Sequence, residues 1–114
     1  MWEINGISLQ LDFEDAETLE RYEQAFNTLE KTEFPSRNKP AEFIRAYCKA
    51  FRKLYDDIFG YEVSKDIFKN IKDNSRLYDE TFENFLDYVT SVSNKANQRR
   101  IKVFTKYSPK GRKW

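Results

Sequence analysis

The stretch that decides the fold runs from Pro40 to Gly60, PAEFIRAYCKAFRKLYDDIFG. At 100° per residue, Phe43, Ala46, Tyr47, Ala50, Phe51, Leu54, Tyr55 and Ile58 fall on one side of a helix. Ile44, Cys48 and Phe59 widen that side to more than half the circumference, and Glu42, Arg45, Lys49, Arg52, Lys53 and Asp56 share the remainder. A helix at the edge of a domain shows a narrower apolar stripe. The breadth predicts a central helix over 40–59, covered from more than one side. Its ends agree. Pro40 suits the first turn, where its missing N–H is not needed, and Gly60 suits the left-handed position just past the end. Arg52 with Asp56 and Lys53 with Asp57 stand at i,i+4, the spacing of helical ion pairs.

Outward from this helix, the N-terminus alternates. Trp2, Ile4, Ile7, Leu9, Leu11 and Phe13 are separated by polar residues on both sides of Asn5-Gly6, the preferred pair for a two-residue type I′ turn. The pattern predicts a hairpin over 2–13, with Ile4 facing Ile7, Trp2 facing Leu9, and one apolar face resting on helices. Asp15 is placed to cap a helix over 15–31 with a narrow stripe of Ala16, Leu19, Tyr22, Phe26 and Leu29. Glu62–Lys69 reads as a short helix. Asn74 or Ser75 opens a last helix over 75–93, with Leu77, Tyr78, Phe82, Phe85, Leu86, Tyr88, Val89 and Val92 on its apolar half. The expected fold is mostly α (α+β): a β-hairpin packed on three main helices and one short one, in a single domain over 1–94.

Apolar periodicity fades after Val92, and the charge changes sign there. Residues 1–94 carry 12 Lys and Arg against 19 Asp and Glu, a net −7, whereas residues 95–114 carry 8 Lys and Arg and no acid, a net +8. The sequence therefore reads as an acidic body with a basic C-terminal tail over 95–114. In that tail Arg99, Arg100, Lys102, Lys106, Lys110, Arg112 and Lys113 alternate with Phe104, Tyr107 and Trp114. These ten residues are the candidate partner-binding set.

Several function classes lack their residues. There is no histidine, the commonest general base and metal ligand. The three glycines are far apart, so no phosphate-cradling loop is present. The single thiol, Cys48, lies on an apolar helix face, which fits a small buried hydrophobe in a reducing cytoplasm. The acidic groups Asp56/Asp57 and Asp79/Glu80/Glu83 read as solvated faces rather than Mg²⁺ sites. No segment reads as a membrane span or a signal peptide. The expectation is a non-enzymatic cytoplasmic protein with no cofactor and no metal. Cations interleaved with aromatic rings also suit single-stranded nucleic acid, but an acidic body repels phosphate, so a protein partner is the favoured reading. A homo-oligomer is compatible with it.

Four stretches carry a resemblance: MWEINGISLQLDFEDAETLERYE at the start, IRAYCKAFRKLYDDIFG at 44–60, VSKDIF at 63–68 and KYSPKGRK at 106–113. Together they resemble an uncharacterised family of small proteins from phages and prophages of Gram-positive bacteria. The turn GYEVSKDIFKN departs from relatives that are richer in glycine. The resemblance implies a product of the tail-morphogenesis region, where tail assembly chaperones are found. Such chaperones bind the tape measure protein or guide tail tube polymerisation, and are absent from the finished virion. It implies the cytoplasm of the bacterial host and transfers no catalytic residue. An accessory protein that binds a host factor, such as a defence component, is the alternative within the same class.

Overall fold

The fold is that of a computed structural model, in which residues 1–107 are described, with Phe104, Lys106 and Tyr107 described as helical backbone. Two strands, β1 (Trp2–Ile4) and β2 (Ile7–Leu9), form an antiparallel hairpin. Four helices follow: α1 (Ala16–Lys31), α2 (Pro40–Phe59), α3 (Val63–Ile67) and α4 (Ser75–Tyr107). The α+β architecture is the expected one.

The hairpin has the expected register, Trp2 opposite Leu9 and Ile4 opposite Ile7. Asn5 and Gly6 both have positive φ, 48° and 84°, as a type I′ turn requires. The ladder stops at Leu9, short of the predicted Phe13, yet the alternation of faces persists: Leu11 is buried and Phe13 half-buried, while Gln10 and Asp12 are exposed. Asn5 Nδ2 also donates to the Ile67 carbonyl at 2.6 Å, which fastens the turn to the end of α3.

The central position of α2 is real. It packs against α1, α3 and α4 and buries Cys48, Phe51, Leu54, Tyr55 and Ile58, whereas α1 buries only Ala25. Aromatic rings fill most of the core. Trp2 is 3% exposed and stands against Tyr55, Phe59, Phe85 and Tyr88, with ring centroids 5.1–6.3 Å away. Phe68 and Tyr78 stack in parallel at 3.9 Å and join the end of α3 to the first turn of α4.

The helix ends follow local chemistry. Asp15 accepts from Thr18 N at 3.0 Å and caps α1. Asn74 Oδ1 accepts from Leu77 N at 3.1 Å and caps α4. Gly60 ends α2 at φ 121°, ψ 164°, not left-handed helical as expected but in a region that only glycine adopts readily. One predicted ion pair is replaced. Asp56 turns away from Arg52 and accepts from Ser64 N at 2.8 Å and Ser64 Oγ at 3.1 Å, where it starts α3. Arg52 reaches instead to Asp73 at 2.7 Å and Tyr78 Oη at 2.9 Å. Those partners are fixed by tertiary packing, which a spacing rule within one helix does not contain. Lys53–Asp57 forms as expected at 3.0 Å.

The main correction concerns the C-terminus. The last helix does not stop near residue 93 with a separate tail from 95. It continues for 33 residues to Tyr107, a length of about 50 Å. Apolar periodicity reports burial, not helicity. After Val92 there is little body left to bury against, but Lys95, Ala96, Gln98, Arg99, Arg100 and Lys102 are strong helix formers with no Gly or Pro among them. An existing helix propagates at small cost through such residues, and cations near its C-terminus complement its dipole.

Candidate partner-binding surface

The hairpin and α4 hold each other where the helix leaves the body. Trp2 Nε1 donates to Asn84 Oδ1 at 2.7 Å. The Leu11 N–H, unpaired once the ladder has ended, donates to Tyr88 Oη at 2.8 Å. Three turns further along α4, Arg99 Nε meets Glu14 Oε1 at 3.0 Å. Between these fastenings lies an open groove of about 270 Å³. Met1, Leu11, Val92 and Ala96 make its apolar surface, Asp12 and Glu14 one rim, and Lys95 and Arg99 the other.

Past the groove, α4 stands clear. From Asn97 to Val103 every residue is exposed, with Ile101 62% and Val103 47% exposed. Lys95, Arg99 and Lys102 recur at i, i+4 and i+7 and so lie within an arc of about 60°. Together with Gln98 and Val103 they line a shallow surface that continues the groove. Glu14, 43% exposed beside an Arg99 that is 73% exposed, illustrates what the stripe can hold: a carboxylate from a neighbouring segment. In a solvated pair of this kind the net gain is at most about 1 kcal/mol, so a competing carboxylate can displace it.

Of the ten predicted residues, Arg99, Arg100 and Lys102 are placed on this helix and exposed. Arg100 points to a different side from Arg99 and Lys102, so the predicted set does not form one patch. Phe104, Lys106 and Tyr107 lie on the same helical segment. Lys110, Arg112, Lys113 and Trp114 lie outside the described residues. Sequence reasoning missed the groove. Lys95 belongs to this surface and not to a separate tail, and Met1, Leu11, Val92 and Ala96 are brought together only by the fold. The i, i+4, i+7 spacing of the cations was the available signal, once a helix is assumed there.

Elsewhere the polar chemistry is structural. Tyr47 Oη donates to Asp79, and burial together with that carboxylate pushes the Tyr47 phenol up to about 12. Burial raises Tyr22, Tyr55 and Tyr78 and the thiol of Cys48. Of the five carboxylates singled out in the sequence, four are engaged within the chain: Asp56 by Ser64, Asp57 by Lys53, Asp79 by Tyr47 and Glu80 by Arg76. Among the described residues, no three His, Cys, Asp or Glu side chains converge as a metal site would require. No described helix is long and apolar enough to cross a membrane.

Residues 5–113 match the model of a family of unknown function, DUF6673. No curated protein and no solved structure matches the chain significantly. The match spans nearly the whole chain, which therefore belongs to the DUF6673 family.

Proposed function

We propose that this DUF6673 member is a non-enzymatic protein-binding factor of phage tail assembly. On this reading it works in the cytoplasm of the bacterial host. It holds an acidic helical segment of a tail structural protein, the tape measure protein first, along Lys95, Arg99 and Lys102. The observation that carries the reading is the emergence of α4 from an acidic body as a bare basic helix, beside a groove with an apolar surface. A positive stripe steers an acidic partner and sets its register. The groove offers Met1, Leu11, Val92 and Ala96 to apolar side chains of the same partner, as in helix-in-groove recognition. The tail-assembly context comes from the resemblance of the four sequence stretches. A host defence factor would use the same surface and is the second protein reading.

The experiment is affinity capture from a phage-producing host, with and without nuclease, followed by identification of what is retained. A tail structural protein that stays bound after nuclease treatment supports the proposal. Retention that vanishes with nuclease, or salt-resistant binding of the purified chain to an oligonucleotide, replaces it with a nucleic-acid role, because phosphate contacts alone weaken steeply with salt.

A further inference from the structure

The hairpin turn carries a reactive pair as well as a structural one. Asn5 is followed by Gly6, and no other asparagine of the chain is followed by glycine. A residue without a side chain leaves its backbone nitrogen open to approach, and its backbone is free to turn. That is the setting in which an asparagine side chain is attacked by the nitrogen of the next residue. Three features of the turn favour the attack. Asn5 and Gly6 are both exposed to water. The ladder bonds of a two-residue turn run between the flanking residues, here Ile4 and Ile7, so the Gly6 N–H carries none of them. No atom lies within 4 Å of the place a Gly6 Cβ would take, so nothing crowds that nitrogen.

One feature opposes it. Asn5 Nδ2 donates to the Ile67 carbonyl at 2.6 Å, which draws the side chain toward α3 and away from Gly6. That carbonyl stands at the end of α3, where a helix leaves its acceptors without intrahelical donors. Ile67 itself is fully buried. The side chain must leave this bond before its Cγ can turn onto the Gly6 nitrogen, so the tie that the amide makes is also what protects the amide.

We propose that Asn5 is a site of self-modification, at which loss of the side-chain amide to the Gly6 nitrogen undoes the tie between the hairpin and α3. The Gly6 nitrogen gives up its proton and bonds to Asn5 Cγ. The Cγ–Nδ2 bond breaks, and Nδ2 leaves as ammonia with the proton it needs taken from water. Water then opens the succinimide ring. Cleavage between Cγ and the Gly6 nitrogen gives an aspartate. Cleavage between the main-chain carbonyl carbon and that nitrogen gives an isoaspartate, whose backbone runs through Cγ and is one methylene longer. The sum of either route is an amide and water converted to a carboxylic acid and ammonia, with no oxidant or cofactor.

Both products lose the tie. An ionised carboxylate has no proton to donate, and its oxygen meets the Ile67 carbonyl oxygen with like partial charge. The carbonyl is then without the donor it had, which is the costly way to lose a hydrogen bond. The isoaspartate also lengthens the turn, which disturbs the pairing of Ile4 with Ile7 and of Trp2 with Leu9. Trp2 carries the hairpin's contact with α4 through Asn84, so the change reaches that helix as well. The modification rests on the turn alone and does not depend on what the basic stripe binds.

The test is peptide mapping of the full chain kept for days in warm, mildly alkaline buffer, beside the same chain in urea. The peptide carrying residue 5 should gain one mass unit and appear as aspartate and isoaspartate forms, ahead of every other asparagine. Conversion in buffer should be roughly five- to tenfold slower than in urea, the protection that one hydrogen bond supplies. The converted chain, separated by its extra negative charge, should melt about 5 °C or more below the unconverted chain. The variant Asn5→Asp should melt with the converted aspartate form. The proposal is overturned if residue 5 in the folded chain converts no faster than the other asparagines. Equal rates in buffer and urea overturn the protection by Ile67, and a converted chain with an unchanged midpoint overturns the loss of the tie.

Discussion

Ending the chain after Asn94 removes 13 helical residues, 95–107, from a total of 74 in the four helices, which have 16, 20, 5 and 33. The expected cost in stability is small and can be worked from what those residues touch. None of the buried core lies beyond Phe85, and the last partly buried large apolar side chain before the cut is Val92. The cut removes the half-buried Ala96 and the Arg99–Glu14 pair. A solvated ion pair contributes at most about 1 kcal/mol, and part of one methyl group about 0.8 kcal/mol at most. A total of 1–2 kcal/mol at most corresponds to a fall in melting midpoint of roughly 4–15 °C for a domain of this size. Circular dichroism at 222 nm should lose about 18% of its helical signal per molecule, the share of helix removed, and the melt should stay cooperative. An unchanged signal per molecule would refute the long α4 and restore a non-helical tail. A truncated chain that no longer folds would refute the division between a self-sufficient body and a projecting helix.

Three further outcomes are expected. Gly6→Val should destabilise by about 1 kcal/mol or more, because Gly6 has φ 84° and a β-branched residue resists positive φ; no atom lies within 4 Å of the added Cβ, so the effect is backbone strain alone, and an unchanged midpoint argues against the type I′ turn. Phe51→Ala should cost roughly 3–5 kcal/mol, since Phe51 is 6% exposed between Tyr47 and Phe82; the exposed Lys49→Ala should change little, and equal urea midpoints for the two would displace α2 from the core. In alkali, Tyr22, Tyr47, Tyr55 and Tyr78 all have folded phenols raised above the ordinary value of 10.0. Their contribution is therefore complete below about pH 10 and lost as pH rises toward 12, where Tyr47 ionises; stability that is flat from pH 9 to 12 contradicts the raised phenols and the Tyr47–Asp79 bond.

How much of this was legible in the sequence depends on which force placed each residue. Short-range rules did well. Asn5-Gly6 set the hairpin register, Asp15 and Asn74 capped their helices, and the broad stripe from Phe43 to Phe59 marked α2 as the helix the others cover. Rules of spacing failed where tertiary geometry chose the partner: Arg52 stood one turn from Asp56, yet Asp73 and Tyr78 lay closer to its guanidinium. The surface at the root of the projecting helix was the least legible part. It combines Met1 and Leu11 from the hairpin with Val92, Lys95, Ala96 and Arg99 from α4, and nothing local ties these segments together. The end of α4 is not legible from apolar periodicity, because that pattern reports burial and the helix beyond Val92 lies in water.

The most direct measurement of the central claim compares the full chain with the variant Lys95→Ser/Arg99→Ser/Lys102→Ser for binding to the tail protein recovered by capture. Circular dichroism first establishes that both have the same helix content. All three side chains are exposed, so the fold should persist. Affinity should fall on the order of tenfold or more, mostly through slower association, and the difference between the two proteins should narrow as salt is raised. Equal affinity and equal association rates for the two proteins would contradict the account and move the binding surface off the basic stripe of α4.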